Sequence, residues 1–281
     1  MEKVRFHQTF SRNGIIKIKF TSARLLNENV LYLVVMACLI HFSSCKEEEK
    51  DPALKLYAEI AASVASNTLD DSEKQNGWKL LFDGVSTNGW HGYNQQGVPD
   101  CWVIEEGSFT MNTTGGDESQ DIITDKVYRN FAFTVAYKIT KGANSGILFQ
   151  AKEDTIYQFP YETGPEFQII DQDNWPDPLE DWQIHGANYA MYPPLAKPYH
   201  PVGEWNRLLL VVNGNEVTQI INGVVVVKYT KYSDEWNKLR NSGKWTAFPD
   251  WGKFDEGHIS LQNHGTKVWF KDIKIKEHFE L

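Results

Sequence analysis

The sequence predicts an all-β fold, an antiparallel two-sheet β-sandwich with one short helix, beginning near Trp78. Three observations carry this expectation. From Trp78 onward, short apolar or alternating runs are broken by Gly, Asn, Pro and Asp, as strands joined by turns are. Helical periodicity is nearly absent over the same stretch. The chain is also rich in rings, with 10 Trp, 12 Tyr and 15 Phe, residues that suit strands and sugar-stacking surfaces. Of the 281 residues, the first seventy or so lack a core-forming pattern, which leaves roughly 200 for one domain able to bury a continuous core.

Twelve strands are expected in order: Lys79–Phe82, Trp102–Ile104, Ser108–Met111, Ile122–Thr124, Phe131–Ile139, Ser145–Gln150, Glu166–Asp171, Asn206–Val212, Glu216–Ile221, Val224–Tyr229, Gly257–Gln262 and Val268–Lys276. Phe131, Phe133, Val135 and Tyr137 alternate with Ala132, Thr134, Ala136 and Lys138, so one face of that strand is aromatic core. Asn222-Gly223 supplies the two positive φ values of a tight hairpin, and Asn213-Gly214 is expected to make a similar turn. The single helix is placed at Asp234–Asn241, capped by Ser233 and stopped by Gly243.

The N-terminus has the layout of an address. Basic residues precede the apolar run VLYLVVMACLIHF at Val30–Phe42, which is followed by Ser43, Ser44 and Cys45. Its 13 residues fall short of the roughly 20 that a spanning helix needs. Phe42-Ser43-Ser44-Cys45 resembles a lipobox, so 1–45 is assigned as a lipoprotein signal peptide and Cys45 as the lipid-bearing residue, with Cys38 as the competing site. The following Lys46–Asp51 run resembles the acidic export signal of Bacteroidetes surface lipoproteins. Residues 46–76 are expected to be an acidic tether and 77–279 the folded domain. The expected location is the cell envelope, anchored in the outer membrane and facing the periplasm or the cell surface.

A net charge of −9 argues against nucleic acid as a partner, because phosphate binding needs clustered Lys and Arg. Only Cys101 of the three cysteines falls in the domain, so no disulfide framework or Cys-based zinc site is available.

Five strings occur in order: LFDGVSTNGW at 81–90, GANSGILFQ at 142–150, GPEFQIID at 164–171, GEWNRLLLVVNG at 203–214 and GHISLQNHG at 257–265. Together they resemble the 3-keto-disaccharide hydrolase family, which implies a concanavalin-like jelly roll and cleavage of glycosides whose sugar carries a ketone at carbon 3. Such a ketone acidifies the proton on C2, so one base, one acid for the leaving oxygen and donors at the enolate oxygen suffice. The rival reading is a carbohydrate-binding module without chemistry, since fold alone does not give function.

Strand alternation sets Glu166 and Gln168 on one face, opposite Phe167, Ile169 and Asp171. Glu166 is the expected base and Gln168 a holder of hydroxyls, while Asp171 either binds substrate or caps the next loop. The resemblance makes His264, in Leu261-Gln262-Asn263-His264-Gly265, the acid or enolate donor, with Gln262 beside it; Asn263 stands where the family more often has Asp. It also makes Asn144 and Ser145 lining candidates. In His185–Pro194 the family's Leu and Asp places hold Asn188 and Ala190, which leaves Tyr189, with Tyr192, as a ring surface for sugar. The loop DNWPDPLED at Asp173–Asp181 is acidic enough for calcium but lacks a regular ligand spacing, so no metal and no other cofactor is expected. The substrate is a small carbohydrate. With no Gly-x-Gly-x-x-Gly string in the chain, a separate sugar 3-dehydrogenase is expected upstream to make the ketone.

Overall fold

The computed structural model describes residues 51–61, 65–112 and 120–279. The signal peptide and Cys45 lie outside these residues. Among the described residues thirteen strands form two antiparallel sheets. β1 (Trp78–Leu80), β3 (Trp102–Glu105), β4 (Ser108–Met111), β6 (Phe131–Ile139), β9 (Asn206–Asn213), β10 (Glu216–Ile221), β11 (Val224–Thr230) and β13 (Val268–Lys276) make the larger one. Its order is β11-β10-β9-β6-β13-β4-β3, with β1 also paired to β13. The smaller sheet runs β2 (Trp90–Gly92), β5 (Ile122–Thr124), β12 (His258–Leu261), β7 (Asn144–Ala151) and β8 (Glu166–Ile170). The chain passes repeatedly between sheets, as a jelly-roll sandwich does.

All twelve expected strands are present with ends shifted by a residue or two, and β2 is added. Three residues at a sheet edge carry too little alternation to announce a strand. The core lies between the sheets. Phe131, Phe133, Val135, Tyr137 and Ile139 of β6 meet Ile147 and Phe149 of β7, Phe167 and Ile169 of β8, and Ile259 and Leu261 of β12. In β13 the core positions change parity, from Val268 and Phe270 to Ile273 and Ile275. A register shift between Lys271 and Lys274, with Asp272 at φ 52°, makes that change.

The β10–β11 hairpin turns on Asn222 and Gly223 at φ 47° and 81°, as expected. The β9–β10 turn differs. Asn213 pairs with Glu216, so the loop is Gly214-Asn215, and of these two only Gly214 has a positive φ, 59°. That is the II′ arrangement, with glycine first. The predicted helix is α3 (Asp234–Arg240), whose N-cap Ser233 accepts the Trp236 N–H. It ends on Asn241.

Of the tether expected over 46–76, the described residues 51–61 and 65–76 are largely folded structure. α1 (Ala53–Ala61) buries Ala53, Leu56 and Ile60 on Trp78, Ala132, Leu209, Val211 and Ile220, the face of the larger sheet that points away from the main core. Glu59 accepts from Trp78 Nε1 at 2.8 Å and from Lys276 Nζ at 2.8 Å. α2 (Asp71–Gln75) carries a capping box between Asp70 and Glu73, and the buried Glu73 carboxylate pairs with the buried Lys274 Nζ at 2.5 Å. Asn67 exchanges hydrogen bonds with Asp272 at the bulge. The folded domain therefore reaches back at least to Asp51. Small and polar residues such as Ala132, Thr134, Lys274 and Lys276 give that outer face a solvated signature in sequence, yet this segment covers it. Accordingly Ile60→Ala is expected to cost about 2–5 kcal/mol in urea unfolding with an unchanged m-value. A free tether would give less than about 0.5 kcal/mol.

Candidate active site

The smaller sheet turns one face to the core and one away. Cross-strand partners Ile123, Ser260, Leu148 and Glu166 form one row, and Gly146 with Gln168 the next. The Gln262 N–H donates to Gly146 O at 3.0 Å, which continues β12 alongside that second row. Because Phe167 and Ile169 enter the core, Glu166 and Gln168 project outward together, as their alternation requires. They are not solvated, being 4% and 2% exposed. The stretch 184–192 lies along β8 as an irregular flank: Ala187 O accepts from Gln168 N, Gln168 O from Gly186 N, and Glu166 O from Tyr189 N at 3.0 Å.

Under the Glu166 side chain is Gly146. A Cβ there would stand 2.5 Å from Glu166 Oε1 and 2.9 Å from its Cγ, so the glycine leaves the room that the carboxyl occupies. Gly146→Ala is expected to fold but to lose at least tenfold in kcat, since small displacements of a reacting group are costly. Steady-state kinetics beside thermal unfolding checks this.

Burial pushes the Glu166 carboxyl up to about 7, opposed by the Lys244 charge and a hydrogen bond from the Gln262 side chain. A second buried carboxyl, Asp121, is pushed up to about 8 by burial; the Asn263 N–H, at 2.7 Å, opposes the rise and the Glu166 charge adds to it. Lys244 is exposed as a residue, yet its Nζ stands over the rings of Tyr189, Trp245 and Tyr161 at 4.5, 4.9 and 5.1 Å. That crowding explains how burial lowers the pKa of a group on an exposed residue, against the pull of Glu166. Three polar atoms on this face lack a partner among the described residues: Asn144 Oδ1, Ser260 Oγ and Gln262 Oε1. Buried polar atoms of that kind are rare unless something else satisfies them.

The predicted residues are distributed unequally. Glu166, Gln168, Gln262, Asn144 and Tyr189 belong to this face. Ser145 turns the other way and latches β7 to β12 through Gln262 O at 2.8 Å. Asp171 fits the capping alternative: its oxygens accept from Gly142 N at 2.7 Å and Asn174 Nδ2 at 3.2 Å, which ties the β6–β7 turn to the loop after β8. Tyr192 stacks on Tyr229 at 4.9 Å. His264 is exposed, edge-on to Trp175 at 6.2 Å, two residues beyond Gln262 and without a hydrogen bond to Glu166 among the described residues. Asn263 is structural, its Oδ1 accepting from Gly265 N at 2.9 Å. A separate cleft of about 340 Å³ opens past the end of β8 between His185, Tyr199 and Asp173; it contains neither Glu166 nor Gln262. The carboxyl chemistry lies at the sheet face.

Sequence reasoning missed Asp121, Lys244 and Tyr161. Asp121 had a signal: it precedes Ile122, a core residue, so alternation sets it on the outer face with Ile123. Lys244, in a tight 3₁₀ turn after α3, had none. Among the described residues no group of three or more His, Cys, Asp or Glu side chains is placed to hold a metal ion, and the 173–181 loop is included in that statement.

A β-sandwich whose outer face carries two buried carboxyls, open amide oxygens and tyrosine rings offers the groups that a carbohydrate site uses. A sequence profile of the 3-keto-alpha-glucoside-1,2-lyase-like domain matches residues 77–276, and the chain belongs to that family. It is 29% identical over 273 residues to the 3-keto-disaccharide hydrolase of Bacteroides thetaiotaomicron, covering 86% of this chain and 94% of the relative. A crystal structure from Parabacteroides distasonis, provisionally described as a glycosyl hydrolase, is 40% identical with a TM-score of 0.72, over 76% of this chain and all of that one. A second so described from the same organism is 25% identical with a TM-score of 0.55, over 72% of this chain and 99% of that one.

Proposed function

We propose that this enzyme cleaves 3-keto-glycosides, 3-keto-disaccharides or 3-keto-glucosides among them, by removing the proton next to the C3 ketone. The observation that carries the reading is the Glu166 carboxyl, enclosed on the sheet face with its pKa raised to about 7 by burial. A base poised near the operating pH is what removal of a weakly acidic C–H requires. Glu166 takes the C2 proton, and the resulting enolate expels the aglycone from C1. Gln168, Gln262 and Asn144 hold the sugar hydroxyls, and Tyr189 offers a ring to its apolar face. His264, exposed two residues beyond Gln262, gives a proton to the leaving oxygen. Water then adds at C1.

The test offers 3-keto-trehalose and a 3-keto-glucoside to the purified protein and follows sugar release. Release from the keto substrate and none from the parent glycoside is the expected result. Binding of glycans with no release from any keto-glycoside would sink the proposal and leave a carbohydrate-binding module in its place. The keto-sugar itself comes from a separate sugar 3-dehydrogenase in this scheme. We also propose anchoring of the protein in the outer membrane through lipidation at Cys45. Loss of fatty-acid labelling in Cys45→Ala is the expected outcome, and retained labelling overturns it.

A further inference from the structure

We propose that Lys244 is the group that carries the enolate charge: its ammonium donates to the C3 oxygen of the substrate. The inference rests on the 3-keto reading above. The Nζ of Lys244 stands over the ring of Tyr189, 4.5 Å from the centroid, and the Tyr189 backbone N–H donates to the backbone carbonyl of Glu166 at 3.0 Å, which sets the cation's ring beside the strand that bears the base. Tyr161 and Trp245 complete a wall of rings around that ammonium. Among the described residues it has no hydrogen-bond acceptor and no ion-pair partner, and it is the cation whose charge reaches Glu166. Ring faces attract a cation but accept little hydrogen-bonding from it, so the N–H groups stay available for a ligand oxygen.

The electron balance needs no further reagent. The Glu166 carboxylate takes the C2 proton, the C2–H pair becomes the C2=C3 bond, and the carbonyl pair moves onto the C3 oxygen, held by Lys244. That pair then returns to restore C3=O as C1=C2 forms and the C1–O bond breaks, its electrons leaving with the aglycone oxygen, which gains a proton. Placing a preorganised cation where negative charge develops is the strongest form of such stabilisation.

The test uses Lys244→Met, Lys244→Arg and wild type, with two readouts. One is turnover of a 3-keto-glucoside. The other is C2–H exchange in D2O on 3-keto-1,5-anhydroglucitol, which has no leaving group. Lys244→Met is expected to lower kcat by about 10²–10³-fold and to slow exchange in parallel, with KM within about threefold of wild type. Lys244→Arg keeps the charge and is expected to recover at least tenfold of the loss. A change in KM alone, or unchanged exchange in a folded Lys244→Met, overturns the proposal. So does a covalent adduct between Lys244 and the keto-sugar trapped by borohydride, which would make the lysine a nucleophile. Wild type that neither turns over nor exchanges speaks instead against the 3-keto reading itself.

Discussion

Glutamine in place of Glu166 is expected to lower kcat on a 3-keto-glucoside by about 10²–10⁴-fold, the usual contribution of a positioned base, with little change in KM. The same substitution is expected to stabilise the fold in alkaline solution. Burial raises the folded carboxyl from 4.5 to about 7, so between these values the folded state holds a proton that the unfolded state has released. Stability is therefore fully present below about 4.5 and falls as pH rises through 7. Above that, ionised Glu166 costs on the order of 3 kcal/mol, from a shift of about 2.5 units at 1.36 kcal/mol each, an amount that glutamine recovers. Opposite signs for activity and stability separate a base from a structural carboxylate, whose removal lowers both. Wild-type kcat should rise with pH along a limb centred near 7. A flat limb, or a Glu166→Gln protein that keeps more than a tenth of wild-type kcat, removes Glu166 from the base role.

How much of this was legible depended on which face of which sheet a residue serves. Every long strand was readable, because the inter-sheet core imposes a period of two on runs such as Phe131–Ile139. The sequence also located Glu166 and Gln168 on a shared face, since Phe167 and Ile169 had to enter the core. What it could not show was cover. Glu166 and Gln168 look solvated in a string of letters, and only the flank at 184–192 and the turn bearing Lys244 reveal that they are enclosed. The segment 51–76 failed for the reverse reason: its apolar stripe of Ala53, Leu56 and Ile60 is modest, and the surface it covers is disguised by lysine and threonine. Local propensity underestimates a short helix whose stability comes from tertiary packing. In sequence Asp171 reads either as a substrate ligand or as a loop cap, and its bonds from Gly142 N and Asn174 Nδ2 fit the cap.

Asp121 gives the second large expected effect, and it follows from burial. Its carboxyl is pushed up to about 8 by burial, with the Glu166 charge adding to the rise. From the ordinary 3.8 to that value the folded state retains a proton that the unfolded chain gives up, so stability is complete below about 4 and drains away as pH rises through 8. The shift of about 4 units corresponds to a cost on the order of 5 kcal/mol once Asp121 is ionised. Asparagine keeps the oxygen that accepts the Asn263 N–H at 2.7 Å and cannot ionise. Asp121→Asn is therefore expected to unfold in urea within about 1 kcal/mol of wild type at pH 4 and to exceed it by several kcal/mol at pH 9. Near pH 7 Asp121 is mostly protonated, so the variant should retain kcat within about tenfold. Equal stability of the two proteins across this range would mean that Asp121 is already solvated when it ionises, and that the low-dielectric enclosure invoked for Glu166 does not extend beneath the sheet face.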